Sequence, residues 1–280
     1  MSLAGSLAAE IERLAAADDP PREATRNAIE RLLEALESGV VRAAAPEDGG
    51  WRVVPWVKRG ILLGFRIGAN RAAALPPVFH FRDRDTFPTQ DPGARGGDIR
   101  IVPGGTTVRR GAFLAPGVVI MPPSYVNVGA WVGAGSMIDS HVLVGSCAQI
   151  GRGVHLSAAV QIGGVLEPVG ALPVVVEDDA FVGGGCGVYE GTRVSSGAVL
   201  APGVLLTRGT PVYDLPRERV LRASAERPLV IPEGAVVVPG SRPAAGGYAR
   251  QQGLQLQTPV IVKYRDGRTA AAVELEEVLR

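Results

Sequence analysis

Three histidines, two cysteines and one glycine-rich run are the features of this 280-residue chain that first suggest chemistry. His80, His141 and His155 are the right type to ligate a catalytic zinc, which needs about three such ligands around one ion. His80 lies far from the other two and outside the repeated segment, so the three form no metal motif. A zinc carbonic anhydrase is therefore a poor fit, and no metal is expected. Cys147 and Cys186 are too few for a disulfide framework or a four-cysteine cluster, and they point to a reduced compartment. Neither has a His/Asp partner beside it in the sequence, so neither reads as a nucleophile. Gly183-Gly-Gly-Cys-Gly187 has the glycine density of a phosphate loop but lacks the Lys-Ser/Thr that closes one.

Charge removes another class. Lys+Arg 29 against Asp+Glu 28 leaves a net charge of +1, without the basic excess of a nucleic-acid binder. Only Lys58 and Lys263 are lysines, a bias that reads as genomic composition. No basic, apolar leader opens the chain, and no apolar run is long enough to span a membrane. A cytoplasmic protein with no membrane or nucleic-acid partner is expected.

The elements that must position any site fall into three parts. Leu7, Ile11 and Leu14 predict a first helix, stopped at Asp18-Asp19-Pro20-Pro21. Ile29, Leu32, Leu33 and Leu36 predict a second, closed by Ser38-Gly39. A short strand over Trp51–Trp56 and a third apolar element over Val57–Ile67 follow. Residues 85–99 are rich in Asp, Arg, Pro and Gly and read as a linker.

Beyond it the pattern changes. Val102, Val108, Leu114, Ile120, Val126, Val132, Ile138, Val144, Ile150, Leu156 and Ile162 recur every six residues. A second run goes from Val176 through Val182, Val188, Val194, Leu200 and Leu206 to Val212, and Ile231 and Val237 form a last pair. The step from Ile162 to Val176 is 14 residues where two repeats would take 12, which marks an insertion within 163–175, and 213–230 is a second excursion. Small or β-branched residues sit four after most anchors, from Thr106 to Val160 and from Ala180 to Thr210, Cys186 among them, and Gly, Asn or Asp often follows the anchor directly. A sustained period of six belongs to the hexapeptide β-helix, in which three short strands make one triangular coil. Such a prism fills its own interior, so its function must use the outside. Leu254–Tyr264 reads as a strand and 270–279 as a short helix. The expected organisation is a mostly helical domain and linker at 1–99, a left-handed parallel β-helix at 100–240, and a strand with a short helix at 241–280, mainly β overall.

Several stretches are more specific. Met121-Pro-Pro-Ser-Tyr-Val-Asn-Val-Gly-Ala130, Met137-Ile-Asp-Ser140, Val144-Gly-Ser-Cys-Ala-Gln-Ile-Gly151, Val154-His-Leu-Ser157 and Ile162-Gly-Gly-Val-Leu-Glu-Pro168 resemble the tetrahydrodipicolinate N-succinyltransferase family. Leu62–Ile67, Arg100-Ile-Val-Pro103, Arg110-Gly-Ala-Phe113 and Pro259-Val-Ile-Val-Lys263 extend the resemblance across nearly the whole chain. It implies a homotrimer of left-handed prisms with sites between them, in the diaminopimelate branch of lysine biosynthesis. It implies succinyl-CoA as co-substrate, no permanently bound cofactor, and a small dicarboxylate acceptor.

Carried over residue by residue, the family's acidic pair falls on Asp139 and Glu190, and a substrate-binding arginine on Arg100. Asp139 would orient the acceptor amine and take its proton, and Glu190 would assist. Arg100 would clamp a substrate carboxylate with its planar fork. His155 is the rival base, since related acetyltransferases use histidine; within this family it is expected to support the structure or the cleft. His141 stands where the family more often has tryptophan and receives no role. The alternatives are a hexapeptide acyltransferase with an acetyl donor and a non-enzymatic scaffold.

Overall fold

The computed structural model describes residues 3–75, 79–91 and 98–265. Helices α1 (Leu3–Ala16), α2 (Arg22–Glu37) and α3 (Pro55–Ile67) come first. They close over Leu7, Ile11, Leu14, Ile29, Leu32, Leu33 and Ile61, the stripes that helical spacing predicts. α3 fits tightly because Gly60 lacks a side chain. A Cβ there would stand 2.4 Å from Leu32 Cδ2 and 3.0 Å from Ile11 Cδ1. Strand β1 (Ala44–Glu47) pairs antiparallel with β2 (Gly50–Val53). β2 is shorter than the expected 51–56 strand because Pro55 opens α3, where its fixed φ suits a first turn. A further hairpin, β3 (Asn70–Leu75) with β4 (Phe79–Arg84), has no counterpart among the sequence expectations. Within 85–99, Thr89 bridges to Arg109, and Gln90 Nε2 donates to the carbonyls of Arg109 and Ala112. That part of the segment is fastened to the prism.

The prism is a left-handed parallel β-helix of two-residue rungs. Face 1 stacks Arg100–Ile101, Val119–Ile120, Met137–Ile138, His155–Leu156, Phe181–Val182 and Val199–Leu200. Face 2 stacks Thr107–Val108, Tyr125–Val126, Leu143–Val144, Gln161–Ile162, Gly187–Val188 and Leu205–Leu206. Face 3 stacks Phe113–Leu114, Trp131–Val132, Gln149–Ile150, Val175–Val176, Arg193–Val194 and Val230–Ile231. The second residue of nearly every rung points inward, and Val126, Val132, Ile138, Val144, Ile150 and Leu156 are fully buried. Backbone N–H groups of the rungs and of the residues after them find acceptors one coil away, as in Met137 N–H to Val154 O at 2.8 Å and Asp139 N–H to Leu156 O at 2.9 Å.

The structure corrects three details of the period. Ile101, not Val102, pairs with Ile120, because one extra residue lies in the turn through Gly104 and Gly105, both at positive φ. Ile162 and Val176 are consecutive anchors on faces 2 and 3, so the long step is a single side carrying an eight-residue insertion. Val212 is buried but is no rung. Strand Val212–Asp214 pairs antiparallel with Arg219–Leu221 and parallel with Gln255–Tyr264. Gln255–Tyr264 in turn pairs antiparallel with Ala235–Pro243, which extends face 1. A short helix, Gly247–Gln251, sits between those two strands. The helix expected at 270–279 lies outside the described residues. Among the described residues no helix is long and apolar enough to cross a membrane.

The helical core and the prism are joined. Val128 and Cys147, at the corner between faces 2 and 3, belong to the same apolar cluster as α1–α3. Glu37 of α2 reaches that corner too: its Oε1 accepts from Gly111 N–H at 2.8 Å and pairs with Arg110 Nε at 2.6 Å. On face 3, Phe113 stacks on Trp131 with centroids 3.9 Å apart, and Arg42 lies over the Trp131 ring at 4.0 Å.

Candidate active site

Asp139 follows the face 1 rung Met137–Ile138 and so sits at the corner between faces 1 and 2. Its Oδ1 accepts the Ser140 N–H at 2.7 Å, and Ser124 Oγ donates to its backbone carbonyl at 2.8 Å. These bonds fix the turn and the carboxylate together. Oδ2 has no protein partner among the described residues. Asp139 thus offers a half-exposed, oriented oxygen pair with one acceptor open.

Glu190 follows the face 2 rung Gly187–Val188 and sits at the next corner, between faces 2 and 3. It is exposed, with φ +55. Its Oε2 accepts the Arg208 N–H at 2.8 Å. It lines a cavity of about 640 Å³ together with Tyr189, Arg208, Arg227 and the insertion from Gly163 to Leu172. Arg208 is a contributor that the sequence reading missed. Its guanidinium donates to the carbonyls of Ser224 and Ala225 at 2.7 and 3.0 Å. The available signal was the offset of 18 residues from Glu190, one full coil, which stacks the two residues directly.

Asp139 and Glu190 are not brought together within one prism. They occupy different corners and lie two coils apart, about 10 Å along the axis at the usual strand spacing. Arg100 opens the first rung of face 1 with its side chain exposed. It shares that face with Met137, two rungs away, and so lies nearer to Asp139 than to the Glu190 corner.

The remaining candidates sort by burial. His155 points outward on face 1 but is covered, its ring edge-on to Phe181 at 5.1 Å between centroids. His141 is exposed at φ +63, two residues past Asp139. Cys186 is fully buried in the prism core. Cys147 is also fully buried, and burial pushes its thiol up to about 12, partly opposed by nearby Lys58. A thiol held neutral is a poor nucleophile. Among the described residues no three His, Cys, Asp or Glu side chains come together as a metal site.

Residues 7–67 match the family model described as the N-terminal part of tetrahydrodipicolinate N-succinyltransferase. The chain is 42% identical over 262 residues to the 2,3,4,5-tetrahydropyridine-2,6-dicarboxylate N-succinyltransferase of Aromatoleum aromaticum, covering 92% of this chain and 90% of that one. This chain belongs to the tetrahydrodipicolinate N-succinyltransferase family. The protein of the same name from Paramagnetospirillum magneticum is also 42% identical, over 91% of this chain and 90% of its own. A hexapeptide-repeat acetyltransferase structure from Vibrio cholerae aligns over 81% of this chain and 93% of its own, at 14% identity and a TM-score of 0.32. The segment matched by the family model corresponds to α1–α3, the helices that share their core with the 2–3 corner.

Proposed function

We propose that this chain transfers the succinyl group of succinyl-CoA to the amine of 2-amino-6-oxopimelate, the ring-opened form of tetrahydrodipicolinate. The observation that carries this is the family relationship, at 42% identity over 92% of the chain. The acceptor amine loses a proton and its nitrogen attacks the thioester carbonyl. The tetrahedral adduct then expels CoA thiolate, which takes up a proton, leaving an N-succinyl amide. No covalent enzyme intermediate is needed, in keeping with two buried cysteines.

Asp139 acts as the general base, because its turn holds the carboxylate still while one oxygen stays open. General bases contribute about 100- to 10,000-fold when placed within hydrogen-bond reach. Glu190 assists in proton transfer or in positioning the acceptor from a cavity large enough for part of a substrate. Arg100 binds a carboxylate of the acceptor. The separation of the two carboxylates favours a site shared between neighbouring prisms, with Asp139 from one subunit facing Glu190 from the next, hence a homotrimer. The chain divides functionally into 1–99, 100–240 and 241–280, and it works in the cytoplasm beside its CoA co-substrate.

Steady-state assays with 2-aminopimelate as acceptor test the assignment. Succinyl-CoA is expected to be the preferred donor. A strong preference for acetyl-CoA would overturn the succinyl assignment, and no transfer from either donor would favour the scaffold.

A further inference from the structure

Lys58 is the buried charge that the proposed mechanism leaves unused. It lies on α3 with its side chain fully buried. No carboxylate pairs with it among the described residues. Its one hydrogen bond there runs from Nζ to the carbonyl of Ala171, at 2.5 Å. Burial lowers its pKa, and the neighbouring Cys147 thiol opposes that shift only in part. Such a placement is a poor way to stabilise a fold. An ammonium has three donors, and taking it out of water without a counter-ion costs far more than one bond to a neutral carbonyl returns.

Ala171 belongs to the eight-residue insertion at the 2–3 corner, and the insertion rests on the Glu190 turn. Leu172 O presses so closely on Gly191 that a Cβ there would lie 2.6 Å away. At its other end the Val165 N–H bonds to Ser146 O at 3.2 Å. Gly163 to Leu172 forms one wall of the cavity and Glu190 part of another. A short path therefore runs from Lys58 on the helical domain, through Ala171 and Leu172, to the turn that presents Glu190.

We propose that Lys58 is a positioning residue, which pins the 163–174 insertion against the Glu190–Gly191 turn and so sets the shape of the substrate cavity. This deepens the transferase reading and rests on Glu190 serving its site. Lys58 touches no reacting atom in this scheme. The ammonium is kept at that depth because a methylene chain of this length, ending in a donor, spans from α3 to the insertion.

The test compares Lys58→Met with wild type in the full chain, using succinyl-CoA and 2-aminopimelate. Methionine fills nearly the same space and removes the uncompensated charge, while the half-buried Ala171 carbonyl gains access to water. A melting temperature equal to or above that of wild type is expected, with KM for 2-aminopimelate raised about tenfold and kcat within about threefold. Amide exchange across 163–174 should rise in the same variant. Lys58→Gln keeps an N–H donor on a chain one bond shorter, and its KM should fall between the two; it replaces the Met variant if that fails to fold. A lower melting temperature with unchanged KM and unchanged exchange would make Lys58 merely structural and overturn the inference. Glu190→Gln separates the two claims. If it keeps full turnover, the Glu190 reading fails; if it loses turnover while Lys58→Met leaves KM unchanged, only the Lys58 inference fails.

Discussion

The two corners that carry the acidic residues are built from the same repeat and have been put to different use. Past its first turn, which holds one extra residue at Gly104 and Gly105, the corner between faces 1 and 2 stays plain: after Met137–Ile138, His155–Leu156, Phe181–Val182 and Val199–Leu200, the chain reaches its next rung without a detour. The corner between faces 2 and 3 takes the additions. The 163–174 insertion leaves from it, the 207–229 excursion leaves from it, and the helical domain buries Val128 and Cys147 there. Asp139 is therefore set by its own turn, through Ser140 and Ser124, and Glu190 by what has been laid around it, through Arg208 and the insertion. A solenoid can place one group with a six-residue turn alone. It places another, and shapes a cavity beside it, only by interrupting the repeat.

Substitutions at the two corners should separate along this line. The largest effect is expected at the plain corner. Asp139→Asn should lower kcat by at least about 100-fold, some 2.7 kcal/mol of barrier, with the melting temperature unchanged. A rate within threefold of wild type would remove Asp139 from the chemistry. Glu190→Gln should cost about 10- to 100-fold in turnover by the same assay, less than Asp139→Asn because Glu190 assists rather than leads. If it costs more, the roles are reversed. Arg100→Ala should raise KM for 2-aminopimelate about tenfold with little change in kcat, since a carboxylate clamp binds ground and transition states alike. An unchanged KM would reject the clamp.

The smallest effect concerns the crowded corner. Burial pushes the Cys147 thiol from its ordinary value of 9.0 up to about 12, so it stays neutral in the native state at a pH where it ionises in the unfolded chain. Its contribution to stability is therefore whole below about pH 9 and is lost as pH rises towards 12. Melting temperatures measured from pH 8 to 10.5 should fall more steeply for wild type than for Cys147→Ala. Parallel curves would mean that the site is wetter than the structure shows.

The prism was legible because its physics is local and repeated. A two-residue rung with one inward side chain imposes a period of six, and the anchors could be read without any partner in view. Val102, the length of the 163–174 insertion and Val212 were misplaced for one common reason. Phase is lost wherever the chain leaves the prism, and only rung pairing restores it. β3 and β4 escaped because a single hairpin carries no period, and Trp56 was misread because Pro55 opens a helix as readily as it ends a strand. For the site, Asp139, Glu190 and Arg100 were legible through family resemblance, since a lone carboxylate in a turn has no signature of its own. Arg208 and Lys58 act through contacts to main-chain atoms, and a carbonyl acceptor leaves no residue type to recognise. Lys58 is 113 positions from its partner Ala171.

The sharing of Val128 and Cys147 with the helical core also has a bearing on synthesis at the ribosome. α1–α3 emerge first, yet part of the apolar surface they close upon arrives some 60 residues after α3 ends. Until the first coils form, the nascent helices carry an uncovered greasy face, the kind of surface that drives premature association. The amino-terminal segment is thus a poor candidate for an autonomous folding unit, and expressed without the prism it should collapse loosely and aggregate.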